Sequence, residues 1–141
     1  MNAEDLLNKE ISDVFGLLGV LLVFVIAFYT YLLTQAEILI TRAPPTVKAE
    51  RRGLIAQLTT TRRLLSGLAV GTALILALLV PLLGRTVHGL LSKPDHFPTS
   101  QIGLVLVCGF LIVLLVAIGW SRNRVTTRIT EIPSAKDPDP G

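Results

Sequence analysis

The chain has 141 residues, of which 51% are hydrophobic and only 16% charged, with a formal net charge of +3. A typical soluble domain is about a quarter charged, so this balance excludes an ordinary water-soluble fold, and the length leaves room for one domain. The single cysteine, Cys108, excludes an intrachain disulfide.

The chain opens with an acidic segment, Glu4, Asp5, Glu10 and Asp13 against one Lys9. Val14–Leu33 then forms an apolar run without Asp, Glu, Lys, Arg or His. A helix rises about 1.5 Å per residue, so about 20 residues cross a hydrocarbon core about 30 Å thick. A cleavable signal peptide starts with positive charge and ends at small residues. This run follows acids and ends at Phe28-Tyr29-Thr30-Tyr31, so it is expected to remain as a membrane span.

The connection 34–63 has a pattern of its own. Leu32, Leu33, Ala36, Leu39, Ile40 and Ala43 recur on one helical stripe, with Gln35, Glu37, Thr41 and Arg42 on other faces. The first helix is therefore predicted to continue past the bilayer until Pro44-Pro45, where the missing N–H and the restricted preceding residue end it. Thr46 is a candidate N-cap for a second helix running to about Leu83, with Val47, Leu54, Ile55 and Leu58 on one face. The two arms are predicted to form a helical hairpin that packs Leu39 and Ile40 toward Leu54, Ile55 and Leu58.

The second apolar run, Leu64–Leu83, is rich in small residues. Gly67 and Gly71 make a GxxxG, and Ala69, Ala73 and Ala77 continue a neighbouring ridge, a pattern that lets membrane helices approach closely. The expected use of this helix-packing face is against the other two spans; the alternative is a second copy of the chain. Pro81 is expected to bend or end the helix. An outer loop, 84–101, separates it from the third run, Ile102–Trp120, in which Cys108 reads as a small residue at a helix contact. A charged tail follows, and 133–141 is predicted to be disordered.

Lys and Arg set the orientation. An odd number of spans puts the first connection and the C-terminal tail on one side, which then holds 10 basic residues against 3 on the other. The positive-inside rule makes the basic side cytoplasmic and places the N-terminus outside. Tyr29, Tyr31 and Trp120 fall at the cytoplasmic ends of their spans, as interfacial anchors do. Acidic residues divide equally, so the cytoplasmic side is net positive and the outer side net negative. Such a balance points to anionic head groups of the bilayer rather than to nucleic acid.

Lys48, Arg51, Arg52, Arg62 and Arg63 are the candidate contacts for acidic lipid or a partner protein. The favoured reading of the same charges is a solvated, orientation-setting face with snorkelling side chains. Catalytic chemistry is not expected. Ser66 and Thr72 lack a His, Asp or Lys within the spans to activate them, and no phosphate-cradling glycine loop, CxxC or HExxH occurs. His88, Asp95 and His96 in the outer loop lack a recognised zinc spacing, so no metal and no cofactor is expected.

An apolar helix opening Ile11-Ser12-Asp13-Val14-Phe15, a basic helical hairpin and two further spans together resemble, over about residues 11–124, small bacterial inner-membrane proteins of unknown function. That resemblance implies a bacterial plasma membrane and a non-enzymatic role. The expected protein is thus all-α and integral to the membrane, with three transmembrane helices and a cytoplasmic helical hairpin in a single membrane domain, 1–132. Its expected role is that of a scaffold or accessory protein, with a protein partner or homo-oligomer possible. The runner-up is a small oligomeric pore-former of the holin kind.

Overall fold

The computed structural model describes residues 2–92 and 99–132, all built on three helices: α1 (Ala3–Thr41), α2 (Lys48–Ser92) and α3 (Thr99–Glu131). Each contains a stretch long and apolar enough to cross a membrane: Ser12–Thr41, Lys48–Gly89 and Gln101–Glu131. The protein is all-helical with three candidate transmembrane helices.

The turn between α1 and α2 falls at the two prolines, as their chemistry requires. The first backbone bond of α2 runs from the Arg51 N–H to the Val47 carbonyl at 3.1 Å. Val47, not Thr46, therefore holds the cap position, and the hydroxyl cap is not used. Three other boundaries differ from expectation. α1 begins at Ala3, so the acidic opening segment is helical. α2 continues through Pro81 to Ser92, taking in the first half of the expected outer loop. A membrane helix tolerates proline when the freed carbonyl finds another donor or the helix adjusts locally, and both Pro81 and Ala77, whose carbonyl is freed, lie on the exposed side. α3 runs past Trp120 to Glu131, where a tail was expected. The segment 133–141 lies outside the described residues.

The helices divide into two compact units. The first comprises Met1–Ile26 and Gly71–Leu115, and the second Ala27–Val70 and Val116–Gly141. In the first, Leu18, Leu79, Leu104, Cys108 and Leu111 form the core, with Val14, Phe15, Leu22, Ile75 and Val107 against it. In the second, the buried side chains include Leu32, Ala36 and Leu39 of α1, Leu54, Leu58 and Leu65 of α2, and Ile118 and Val125 of α3. α3 therefore contributes buried side chains to the same unit as the corresponding parts of α1 and α2.

A common spacing runs along every helix. Leu18, Val25, Leu32 and Leu39 of α1 are buried at steps of seven residues; so are Arg51, Leu58, Leu65, Thr72, Leu79 and Thr86 of α2, and Leu104, Leu111, Ile118 and Val125 of α3. Seven residues per two turns is the period at which knobs on one helix keep meeting holes on its neighbours. Between these seam positions the helices turn large apolar side chains outward, among them Leu17, Val20, Phe24, Leu74, Leu78 and Val113. In water such a surface is untenable; in a bilayer lipid chains cover it.

Candidate functional site

The polar side chains of the second unit are tied to one another along α1 and α3. The hydroxyls of Tyr29 and Ser121 share a hydrogen bond of 3.2 Å, and Ser121 also bonds the Ala117 carbonyl of its own helix at 2.9 Å. Further along, Arg124 reaches Glu37 at 3.7 Å while its guanidinium lies 5.2 Å from the centre of the Trp120 ring. A cation over an indole face is favourable because the ring presents negative potential there. Arg128 donates to the Arg42 carbonyl at 3.0 Å and pairs with Glu131 at 3.4 Å. That bond meets one of the carbonyls left open where α1 ends.

The five basic residues expected as contacts separate once folded. Arg51 is buried, in line with Leu58 and Leu65 on the seam, so it belongs to the interior. Lys48 and Arg62 are half-buried, while Arg52 and Arg63 are exposed. Arg122 and Arg124 of α3 are exposed as well. The count of basic residues by segment had included them as a tail; as part of a helix they become fixed features of the second unit.

The small-residue face of α2 is largely open among the described residues. Gly67, Gly71 and Ala73 are exposed and Ala69 is half-buried. A Cβ built on Gly67 or Gly71 meets no atom within 4 Å. Gly103 of the first unit is where a backbone does come close, its Cβ position lying 3.0 Å from Cζ of Phe15. On the α2 seam, Thr72 and Thr86 are fully buried hydroxyls in a line that is otherwise apolar after Arg51. Their signal was present in the sequence as polar residues a multiple of seven apart.

Hydroxyl chemistry is held in check locally. Ser66 donates to the Arg62 carbonyl at 2.9 Å and Thr86 to the Leu82 carbonyl at 2.9 Å, so each is engaged by its own helix. Among the described residues no three His, Cys, Asp or Glu side chains come together as a metal site. His88 is exposed near the end of α2, and Asp95 and His96 lie outside the described residues. In the first unit Arg85 pairs with Glu10 at 3.6 Å, both of them exposed. No protein-family model, curated protein or solved structure matches the chain.

Proposed function

We propose that this protein is a non-enzymatic scaffold or accessory subunit of a bacterial plasma membrane, N-terminus outside, presenting a three-helix cytoplasmic extension to a partner. The extension comprises the parts of α1, α2 and α3 beyond the apolar runs, about residues 34–63 and 121–132. One observation carries the reading. In the second unit these segments have a buried core of Leu39, Leu54, Leu58 and Val125 and an exposed skin that includes Arg42, Arg52, Arg63, Arg122, Glu37 and Glu50. A span needing only to cross the bilayer requires no such extension, whereas a presented surface requires a rigid one. The excess of basic residues on this side supports the orientation.

Purification of the tagged full chain from mild detergent tests this. A protein recovered in fixed ratio, and lost when Arg52 and Glu50 on the exposed skin are reversed in charge, is the expected result. Recovery of the chain only as large homo-oligomers, with expression arresting growth, would instead favour a pore-former.

A further inference from the structure

We propose that Arg62, Arg63 and Arg122 form a collar that binds the phosphate groups of anionic phospholipids where the helices leave the bilayer. The proposal deepens the membrane-scaffold reading and rests on it. Arg62 and Arg63 directly precede the apolar run of α2, and Arg122 follows the run of α3 by two residues. On α2 the pair is flanked by the buried Thr61 and Leu65, and on α3 Arg122 lies between the buried Ser121 and Val125. Both basic segments are therefore anchored on the core of the same unit.

Arginine charge is unevenly satisfied among the described residues. Arg85, Arg124 and Arg128 each have a carboxylate within 4 Å: Glu10, Glu37 and Glu131. Among the described residues Arg62, Arg63 and Arg122 make no such pair, and neither 59–66 nor 118–126 contains an acid. Three guanidiniums without an internal counter-charge, set at the depth of the head groups, complement phosphodiesters, which guanidinium binds through paired N–H donors. Trp120 marks the same depth: it ends the apolar run, is 65% exposed and is held by Arg124. Arg51 plays no part, because it is buried.

Trp120 is the only tryptophan, so its fluorescence reports the lipid beside the collar. The full chain is reconstituted in phosphatidylcholine bilayers containing phosphatidylglycerol, with one lipid or the other brominated high on its acyl chains. Quenching by brominated phosphatidylglycerol should exceed that by brominated phosphatidylcholine at equal fraction, with an enrichment of about fivefold for each arginine engaged. The triple variant R62Q/R63Q/R122Q should lose the preference, and R62K/R63K/R122K, which keeps the charge but not the paired donors, should retain only part of it. Equal quenching by the two lipids in the wild-type chain would overturn the collar while leaving the membrane reading intact. So would a preference that survives in the glutamine variant. Absence of quenching by either lipid would overturn both.

Discussion

Tyr29 and Ser121 meet hydroxyl to hydroxyl at 3.2 Å, joining α1 to α3 near the ends of their apolar runs. Ser121 donates its one hydroxyl proton to the Ala117 carbonyl and accepts from Tyr29, so its donor stays satisfied when the tyrosine hydroxyl is removed. Tyr29→Phe is therefore expected to lower stability by only about 0.5–1 kcal/mol. A double-mutant cycle with Ser121→Ala, measured by unfolding in detergent, should return a coupling of about 0.6 kcal/mol. A coupling indistinguishable from zero would show that the bond contributes nothing.

Seam and lipid-facing leucines should respond differently to the same truncation. Leu58 is fully buried in the second unit and lies outside the apolar runs, so Leu58→Ala loses burial from water and leaves a cavity. The expected cost is about 2–5 kcal/mol. Leu78, which is 78% exposed, faces lipid both before and after helix association, so Leu78→Ala should stay within about 0.5 kcal/mol. Thermal melts of both variants in one detergent decide the matter; similar losses would mean that the seven-residue seam does not organise the packing.

Two glycines offer a second contrast. Gly103→Leu pushes against the Phe15 ring and should cost about 1–3 kcal/mol. Gly71→Leu enters open space and should leave the stability of the single chain unchanged. If Gly71→Leu instead destabilises the protomer as strongly as Gly103→Leu, this open face is a packed one.

The orientation is checked with thiol labelling. In a Cys108→Ala background, cysteines replacing Asn2 or Thr99, both exposed, should react with an impermeant reagent on intact cells. A cysteine at Thr46, exposed in the turn after α1, should react only after lysis. Labelling of the Thr46 position in sealed cells would reverse the assignment.

The three apolar runs and the turn at Pro44-Pro45 could be read from residues, because length without charge and the loss of an N–H are local properties. The seam could not, for a physical reason. Leu17 and Leu18 are equally apolar, yet one is exposed and the other buried. In a bilayer the outward face is as hydrophobic as the inward one, so amphipathic periodicity vanishes where the packing is densest. The helical segment of α3 after Trp120 escaped notice for a different reason: Arg122, Asn123, Arg124 and Arg128 dominate it, while Val125 and Ile129 are too few to display a stripe. Glycine spacing alone does not name the neighbour: among the described residues no atom lies within 4 Å of a Cβ built at Gly67 or Gly71.

The comb of buried positions has a consequence for how this chain tolerates drift. Between teeth such as Leu18, Val25, Leu32 and Leu39, outward residues answer only to lipid, and Leu, Val, Ile and Phe are interchangeable there. At the teeth, side-chain volume must match the surrounding helices, as at the fully buried Thr72 and Thr86. Descendants of one ancestor would lose overall identity quickly while retaining a sparse set of residues at intervals of seven. A distant relative would be found by aligning on that interval rather than by looking for a motif.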